Sequence, residues 1–508
     1  MRRRINKVLI ANRGEIAVRI ARTLRELGIA IVAVYSEADA EALHRRVADE
    51  SRCIGPAPAN ESYLSIDKII EAARATGADA IHPGYGFLAE NPKFVGACEE
   101  AGLVFIGPSQ APMFELGDKA RARKIAEAAG VLTVPGLAEV ADDDLAAAGT
   151  KIGYPVLLKP SAGGGGKGMV EVHAADEMKE KSQAARRIAK AAFDNDTLIV
   201  EKLVRPARHI EIQVFGDGQG DAVALGEREC SLQRRHQKVI EECPSPVVDE
   251  AIRERMEASA LSLTKSLKYA GAGTVEFLLG PKGEHYFLEM NTRLQVEHPV
   301  TEMVYGVDLV AAQIAVAEGN GIPQSLRDAK PRGHAIEARI YAEDPEAGFL
   351  PTPGPVLAVH RPEGPGIRYD GALEGEGEVG VDYDPMIAKL IAWGPDRDSA
   401  RRRLLRAFGD LALLGITTNS GFLVRVLEDE RFAKAKFAID SLEGWIAEDG
   451  FFDDPNDKAL LYAAAACAFG KRATRSGEGS EASMSADADV YSPFDREGPW
   501  RALQGKAD

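Results

Sequence analysis

Two glutamates and an asparagine within Gly273–Asn291 form the most informative chemical pattern in the sequence. Two apolar strand patterns flank the turn residues Pro281–Gly283, which predicts a hairpin. A turn centred there places Glu276 opposite Glu289, and it puts Asn291 on the same face as Glu289. Facing carboxylates repel one another unless a cation lies between them, and oxygen ligands favour Mg²⁺ or Mn²⁺. The alternative is a pair of solvated glutamates on an exposed sheet face.

A guanidinium, an amide and a carboxylate follow this hairpin at alternating positions. In an extended chain, Arg293, Gln295 and Glu297 point the same way. Such a trio could hold a small planar oxyanion and deprotonate it, with the arginine as a clamp and the glutamate as the base. Gln233 and Lys238, from a separate polar cluster, are placed to reach a phosphate or bicarbonate. A plain surface ion pair is the alternative for the trio.

A run of glycines, Ser161–Met169, follows the strand pattern Pro155–Lys159. Glycines let backbone N–H groups approach an anion closely, and Lys167 adds positive charge to this loop. The loop lacks the Gly-Lys-Ser or Gly-Lys-Thr ending of a Walker A motif, which excludes a P-loop. We interpret Lys159, directly before the loop, as a phosphate ligand. The alternative for the loop is a flexible surface segment.

The elements that must position these groups begin with alternating strand and helix patterns. The predicted strands and helix are Lys7–Ala11, Glu15–Leu27 (the helix), Ala30–Tyr35, Ala78–His82 and Leu103–Ile106. This alternation predicts a parallel sheet covered by helices. The first strand–helix turn, Asn12–Glu15, is not GxGxxG, so no dinucleotide is predicted there. His82–Asn91 ends a strand in a glycine-rich turn, which is where open α/β sheets bind ligands.

The chain divides into four predicted parts. They are residues 1–116, an N-terminal α/β domain; residues 117–332, a second domain with a small mobile lid at about 134–204; residues 333–449, a β-rich third domain; and residues 450–508, a helix, a flexible linker and the start of a further domain. The linker is predicted because Gly470–Asp489 is rich in serine, glycine, alanine and charge.

Composition excludes several classes of protein. The 508 residues carry a formal net charge of −16, which argues against a nucleic-acid surface. The 5 cysteines are scattered and form no CxxC pair, so a reducing compartment is favoured over a disulfide or zinc scaffold. The apolar runs after Lys7 and at Ala459–Phe469 are too short for an export signal or a membrane span. We therefore expect a cytoplasmic protein with no membrane partner.

Taken together, these stretches resemble the biotin carboxylase family of the ATP-grasp superfamily, as found in the biotin carboxylase part of biotin-dependent acyl-CoA carboxylase alpha subunits. The similarity covers roughly residues 3–447. The stretches that carry it are Ile10–Ala17, His82–Asn91, Ser161–Met169, Arg208–Gln213, Glu227–Glu242, Glu276, Glu289–Glu302, His334–Arg339 and Tyr383–Leu390. One departure is Pro160, where the family more often has alanine, and we expect little functional effect from it.

The resemblance implies a multidomain α/β and α+β fold. Its parts are a Rossmann-like pre-ATP-grasp domain, an ATP-grasp domain with a mobile lid, and a C-terminal β-rich biotin carboxylase domain. It also implies an ATP-dependent ligase that makes carboxyphosphate from bicarbonate, uses two metal ions (Mg²⁺ or Mn²⁺), and carboxylates biotin borne on a carrier. That reaction would be the first half-reaction of an acyl-CoA or pyruvate carboxylase.

The resemblance further implies roles for individual residues. The ATP-binding set is Lys119, Lys159, Gly163, Gly164, Gly165, Gly166, Glu201, Leu203, His209, Gln233 and His236. The metal ligands are Glu276, Glu289 and Asn291. The set for bicarbonate and biotin is Tyr85, Lys238, Arg293, Gln295, Val296 and Arg339. The catalytic set is Glu297, which would deprotonate bicarbonate, and Arg339, which would stabilise the biotin enolate, together with Arg293 and Lys238.

The last part of the chain departs from a stand-alone member of the family. Ser492–Arg501 looks like the opening of the next domain of an alpha subunit, and no Ala-Met-Lys-Met sequence is present. We therefore expect a fragment or a naturally split subunit that does not carry biotin itself. The expected partners are a biotin carboxyl carrier protein or domain, a carboxyltransferase subunit, and a second copy of the chain in a homodimer.

Two other functions remain open. Another ATP-grasp ligase, which forms carboxyphosphate or an acylphosphate and passes it to ammonia for example, would use the same metal hairpin but not biotin. A non-catalytic ATP-binding scaffold would be expected to lack some of the chemical groups, which are all present: Glu276, Glu289, Lys238, Arg293 and Glu297. Nothing in the sequence indicates which acyl-CoA, if any, finally receives the carboxyl group.

Overall fold

The computed structural model describes residues 4–138, 140, 144–161, 168–235, 237–448 and 451. Its first sheet is formed by five parallel strands. The elements of this part are β1 (Lys7–Ile10), α1 (Gly14–Glu26), β2 (Ala30–Tyr35), α2 (Leu43–Arg46), β3 (Glu50–Cys53), α3 (Ile66–Thr76), β4 (Ala80–His82), α4 (Pro92–Glu100), β5 (Val104–Phe105) and α5 (Gln110–Leu116). The strand order is β3-β2-β1-β4-β5. The predicted parallel sheet is confirmed, whereas β3 was not predicted because Glu50–Cys53 has no apolar alternation.

A smaller sheet follows, with its own apolar core. Its neighbourhood contains α6 (Lys119–Ala128), β6 (Gly136–Ala138), α7 (Leu145–Ile152), β7 (Val156–Pro160), β8 (Val170–Val172), α8 (Met178–Phe193) and β9 (Leu198–Lys202). The four strands are antiparallel in the order β6-β9-β7-β8. Their core is formed by Leu145, Val156, Leu158, Val172, Met178, Ala185, Leu198 and Val200. We call these four strands the small sheet. In sequence, the predicted glycine loop lies between β7 and β8, and residues 162–167 of it lie outside the described residues.

The remaining elements build a second, larger sheet and the helices around it. They are β10 (Arg208–Asp217), β11 (Ala222–Arg234), β12 (Gln237–Cys243), α9 (Glu250–Ser266), β13 (Ala270–Leu279), β14 (His285–Asn291), α10 (His298–Tyr305), α11 (Leu309–Ala317), α12 (Gln324–Arg327), β15 (His334–Tyr341), β16 (Glu343–Asp344), β17 (Leu350–Pro351), β18 (Gly354–Val356), β19 (Ala358–His360), β20 (Ile367–Gly371), β21 (Gly377–Val379), β22 (Met386–Gly394), α13 (Arg397–Asp410), β23 (Ala412–Leu414), α14 (Ser420–Glu428), α15 (Glu430–Ala433) and α16 (Ser441–Ile446).

Eight of these strands form one continuous antiparallel sheet, which we call the large sheet. Its order is β14-β13-β10-β11-β12-β15-β22-β20. Strand pairing therefore runs across residue 333, where the sequence suggested the start of a third unit: Ile240 of β12 pairs with Ala338 of β15. At that junction Gly333 has φ +68°, and a Cβ there would lie 2.3 Å from the Gly394 carbonyl oxygen. Only glycine fits this close approach between neighbouring strands.

The described residues include no single helix that is both long and apolar enough to cross a membrane. The consecutive helices α10 and α11 reach the necessary length and apolarity only as a pair, across a bend of 95°. Most residues of α10 and more than half of those of α11 are buried inside the fold.

Candidate functional site

A cleft of about 590 Å³ opens between the small sheet and the large sheet. The small sheet contributes Leu157, Lys159, Glu171, Ile199 and Glu201 to its lining. The large sheet contributes His209, Gln233, Lys238, Glu276, Glu289 and Arg339. Polar groups predicted from separate stretches of the sequence thus face one cleft, which is the arrangement expected of a ligand site in an enzyme.

The predicted hairpin is present, and the pairing of Glu276 with Glu289 is confirmed. A bulge next to Phe277 shifts the register by one residue, so that Phe277 pairs with Phe287 nearer the turn. Asn291 Nδ2 donates to Glu276 Oε1 at 2.8 Å. Burial and the charge of Glu276 both raise the pKa of Glu289. The two carboxylates therefore oppose each other across one ladder, and a cation between them would relieve that repulsion.

Lys238 lies among three buried carboxylates. Its Nζ donates to Glu211 Oε2 at 2.6 Å, to Glu276 Oε1 at 2.9 Å and to Glu297 Oε1 at 2.7 Å. Burial alone would lower the pKa of Lys238, but these carboxylates raise it well above its ordinary value. The ammonium group is therefore charged at neutral pH, and it joins the predicted metal hairpin to the predicted base.

Glu297 is buried at the position directly before α10, and two cations contact it. Lys238 binds its Oε1, and Arg339 Nη2 donates to its Oε2 at 3.0 Å. Burial alone would raise the pKa of Glu297, but Lys238, Arg339 and Arg228 lower it far below the usual range. Glu297 is therefore ionised in this structure, as a proton acceptor must be.

Arg339 also binds a second carboxylate, because its Nε donates to Glu241 Oε1 at 2.6 Å. Burial raises the pKa of Glu241 to about 7, although Arg339 acts against this increase. Arg339 is thus shared between the ionised Glu297 and a carboxyl group that titrates near neutral pH. Arg339 also lines the cleft, and a planar guanidinium with several donors suits an oxyanion.

The segment after the hairpin converges on the cleft, but not as an extended strand. Residues 292–297 form a loop that turns directly into α10. Gln295 Nε2 donates to Glu276 Oε1 at 3.0 Å, and Arg293 Nε donates to Glu90 Oε2 at 2.8 Å. The predicted trio therefore lines one cleft, although its members are positioned by separate side-chain contacts rather than by strand alternation. The extended geometry assumed from sequence was wrong.

The predicted nucleotide-binding residues on the described elements lie along the same cleft. Lys159 Nζ is 2.5 Å from Glu201 Oε2, and Lys119 Nζ is 3.8 Å from Glu289 Oε2. His209 Nε2 is 3.0 Å from Glu276 Oε2. Burial alone would lower the pKa of His209, but Glu276 outweighs that effect and raises it. The remaining cleft-lining members of this predicted set are Leu203 and Gln233, together with Val296 of the bicarbonate set.

Some predicted residues do not line the cleft or lie outside the described residues. Tyr85 is not among the lining residues; its hydroxyl donates to Glu15 instead. Asn12 holds the turn that carries Tyr85, because its Nδ2 donates to the Tyr85 carbonyl oxygen at 2.7 Å. Gly163, Gly164, Gly165, Gly166 and His236 fall on residues that the structure does not describe.

Several charged residues of the site were not predicted. Arg228 is fully buried; its Nε donates to Glu211 Oε1, its Nη1 to Gln213 Oε1 at 2.7 Å, and its Nη2 to Gln295 Oε1 at 3.4 Å. Glu241 and Lys389 were also missed as participants. All three lie within stretches that carry the family resemblance, Glu227–Glu242 and Tyr383–Leu390, but a charged residue within an apolar strand pattern also fits an exposed sheet face.

Three family models match consecutive parts of the chain. The model described as "Biotin carboxylase, N-terminal domain" matches residues 4–113. "Carbamoyl-phosphate synthase L chain, ATP binding domain" matches residues 118–325. "Biotin carboxylase C-terminal domain" matches residues 337–444.

Full-length relatives match over the same region. A biotin carboxylase of Nostoc sp. is 48% identical over 432 residues, which cover 84% of this chain and 96% of that protein. The mitochondrial methylcrotonoyl-CoA carboxylase subunit alpha of Rattus norvegicus is 48% identical over 431 residues. That match covers 84% of this chain but only 60% of the relative, so the chain spans about three fifths of the alpha subunit's length.

A solved structure shows the same arrangement. The biotin carboxylase domain dimer of 2-oxoglutarate carboxylase from Hydrogenobacter thermophilus, in complex with MgADP, ADP and bicarbonate, superposes with a TM-score of 0.84. It is 42% identical, and the match covers 89% of this chain and 99% of that one. The predicted three-part fold is therefore confirmed.

Proposed function

Because this chain belongs to the biotin carboxylase family, we propose that it carboxylates biotin with bicarbonate at the expense of ATP, by way of carboxyphosphate. The observation that carries this proposal is the convergence of Lys238, Arg339 and Glu297: an ionised carboxylate held between two cations in one cleft. The relatives named as biotin carboxylases support it. The other ATP-grasp reactions that the sequence left open give no role to Arg339.

The nucleotide is proposed to bind between the small sheet and the large sheet. Lys119 and Lys159 supply positive charge for its phosphates, while Glu201, Leu203, His209 and Gln233 border the remainder. The backbone of Gly163–Gly166 and the side chain of His236 stay part of this proposal from sequence alone. Closure of the small sheet, residues about 134–204, would exclude water from a mixed anhydride that water destroys.

Glu276, Glu289 and Asn291 are proposed to hold Mg²⁺ or Mn²⁺ at two positions. The donor set fits, because it is made of oxygen ligands and because burial and Glu276 already raise the pKa of Glu289. A second group, His209, Glu211 and Glu276, has ligand atoms within 4.8 Å of one another. However, Lys238 already contacts two of those carboxylates, which favours the side of Glu289. When bound, the metal ions would offset the negative charge of the phosphates.

Bicarbonate is proposed to bind beside Lys238, Arg293, Gln295 and the backbone of Val296. Its arrival takes over part of the hydrogen bonding that Lys238 and Arg339 now give to Glu297. The pKa of Glu297 then rises from its depressed value, so that a carboxylate oxygen can accept the bicarbonate proton. The deprotonated oxygen attacks the γ-phosphorus, the bond to ADP breaks, and carboxyphosphate forms.

Carboxyphosphate then splits into CO₂ and inorganic phosphate. The phosphate takes the proton from the ureido nitrogen of biotin, and that nitrogen forms a bond to the CO₂ carbon. Arg339 is proposed to stabilise the enolate oxygen of the intermediate, since this cation lines the cleft beside Glu297. Tyr85 is proposed as a contact to biotin on the side of the N-terminal domain.

The partners and setting of the enzyme are also proposals. Alpha-subunit relatives support a separate biotin carrier and a carboxyltransferase, and the dimeric structural relative supports a homodimer. We propose domain boundaries near residues 117 and 333, and a cytoplasmic location that agrees with the free state of the cysteines in the described part of the chain, which are Cys53, Cys98, Cys230 and Cys243.

The deciding experiment measures ADP release with Mg²⁺ and bicarbonate, with and without free biotin. Bicarbonate-dependent turnover stimulated by biotin is expected, and Glu297→Gln and Arg339→Ala should each lower kcat by about 10²–10⁴-fold. Arg397→Ala is the control, because it breaks an ion pair with Glu242 outside the cleft. ADP release that biotin does not change but an amine increases would indicate another ATP-grasp ligase. ATP binding without any ADP release would indicate a scaffold.

A further inference from the structure

In the described part of the chain, the loop of residues 292–297 pairs with no strand, and side chains contact two of its carbonyl groups. His298 Nδ1 lies 2.6 Å from the Gln295 carbonyl oxygen, and Lys389 Nζ donates to the Val296 carbonyl oxygen at 2.8 Å. Both His298 and Lys389 are fully buried. A buried carbonyl needs such a partner, and each contact fixes the backbone of a residue in the bicarbonate set.

Lys389 reaches a second part of the site through Glu15. Its Nζ lies 3.1 Å from Glu15 Oε1, and the hydroxyl of Tyr85 donates to the same oxygen. The ammonium also lies 5.9 Å from the centre of the Tyr85 ring. On the large sheet, Lys389 of β22 is directly opposite Arg339 of β15. One buried lysine therefore adjoins the proposed bicarbonate loop, the proposed biotin contact and the proposed enolate stabiliser.

We propose that Lys389 is a positioning residue for the carboxylation reaction. Held by Glu15, it fixes the Val296 backbone on the bicarbonate side and Tyr85 on the biotin side, and so sets how the two substrates meet. This inference rests on the proposed function, because it assigns Lys389 to the same site.

A purely structural role would explain the arrangement less well. A buried ion pair contributes little net stability compared with apolar residues of similar size, since both groups lose their hydration. Lys389 and Glu15 are 0% and 3% exposed, and Glu15 Oε2 has no hydrogen-bond partner among the residues that the structure describes. This costly pair sits where the carbonyl of a substrate loop and a substrate-contacting tyrosine meet, which is where accurate positioning is needed.

The test compares Lys389→Met with wild type in the biotin-dependent assay. Methionine keeps the length and packing of the side chain but donates no hydrogen bond. KM for bicarbonate and KM for biotin should each rise by about tenfold or more, the effect of losing one charge-assisted hydrogen bond. KM for ATP should stay within about twofold, because the described partners of Lys389 are Val296, Glu15 and Tyr85, none of which belongs to the proposed nucleotide set. Lys389→Arg, which keeps charge and donors, should recover part of the loss.

The double variant Glu15→Gln with Lys389→Met separates positioning from folding. It removes the carboxylate that Lys389→Met alone would leave buried and unpaired, so its Tm should recover while both substrate KM values stay high. Arg397→Met is the matched control: it breaks the Glu242 ion pair of the same sheet, and it should lower Tm without changing either KM.

Two results would overturn the proposal. One is a Lys389→Met enzyme with unchanged KM for bicarbonate and biotin. The other is a double variant in which Tm and the KM values for bicarbonate and biotin recover together, which would leave Lys389 a structural role only. Failure of the proposed function is a separate outcome, because the wild-type enzyme would then show no biotin-dependent turnover at all.

Discussion

Arg228 is fully buried, and its guanidinium has several polar partners. Its guanidinium binds Glu211, Gln213, Thr274, Thr301 and Gln295. Glu211 also accepts a hydrogen bond from Lys238, which lines the cleft. Glu211 therefore lies between two cations, and it links the buried Arg228 to Lys238. Alternating charges of this kind keep Lys238 and Glu297 ionised in a place where burial alone would neutralise them.

Glu337 is a buried carboxyl group that no cation holds by a hydrogen bond in the described part of the chain. We therefore expect it to make the folding stability depend on pH. Within the described part of the chain, neither of its carboxylate oxygens has a hydrogen-bond partner. Burial, Glu241 and Glu297 raise its pKa well above the ordinary value, although Lys389 and Arg339 act against this increase. As pH rises above about 4.5, the unfolded chain releases this proton while the folded chain keeps it, so folding stability falls by up to about 1.4 kcal/mol per pH unit. Glu337→Gln removes this titration.

The expected result is that Glu337→Gln becomes more stable than wild type as pH is raised from 5 to 8, in chemical denaturation at each pH. Glu242→Gln is the control of opposite sign. Burial alone would raise the pKa of Glu242, but His334 and Arg397 lower it, so its stabilisation is present above the unfolded pKa. Glu242→Gln should therefore be less stable than wild type by a constant amount between pH 5 and 8, because Glu242 is ionised in both the folded and the unfolded chain there. A constant difference between Glu337→Gln and wild type would show that Glu337 is ionised in the folded state.

At the scale of elements, the sequence predicted those features of the site that depend on residues close together in the chain. The β13–β14 hairpin and the opposition of Glu276 to Glu289 follow from turn chemistry and strand alternation, both of which act over a few residues. The loop of residues 292–297 was predicted as extended because its polar alternation resembles a strand. It is a loop that leads directly into α10, which begins at His298. Hydrogen bonds to Glu276 and Glu90 orient the side chains of Gln295 and Arg293.

Other features of the site could not be predicted because they depend on contacts distant in sequence. Lys389 lies 93 positions from Val296, and Arg228 lies 67 positions from Gln295. A lysine or arginine in an apolar strand pattern fits both a buried and an exposed location, and only the packed fold decides between them. Edge strand β3 was missed for a related reason: its side chains are half-buried or exposed and carry no apolar alternation.

Two glycines test how element geometry contributes to stability. Gly283 in the turn between β13 and β14 has φ +79°, where an alanine is strained, so Gly283→Ala should cost about 1–2 kcal/mol. Gly409 lies in α13 with nothing within 4 Å of a Cβ, so Gly409→Ala should stabilise by up to about 1 kcal/mol. Denaturant titration measures both changes. Turnover should be unaffected, since neither glycine lines the cleft, and a loss of stability in both variants would contradict this account of the backbone.

At the scale of the whole molecule, the large sheet makes the second and third predicted parts of the chain depend on each other. β12 from the second part pairs with β15 from the third, and Arg339 of β15 reaches Glu297 of the second. Leu232, Val239 and Ile240 pack into the same apolar core as the third part's strands and helices. The cleft is therefore complete only when the strands on both sides of residue 333 are paired.

This dependence predicts that a fragment ending at residue 332 does not fold on its own. It would expose the hydrogen-bonding edge of β12 and the apolar side chains of Leu232, Val239 and Ile240. An unpaired strand edge and an exposed apolar surface both promote aggregation. A fragment of residues 1–453 keeps all the described strands and is the control. Size-exclusion chromatography and thermal unfolding should show a single cooperative transition for the control and aggregation or no transition for the shorter fragment. A cooperative, monomeric 1–332 fragment would show that the second part is stable without β15, β20 and β22, and that the third part is needed only for Arg339 and Lys389.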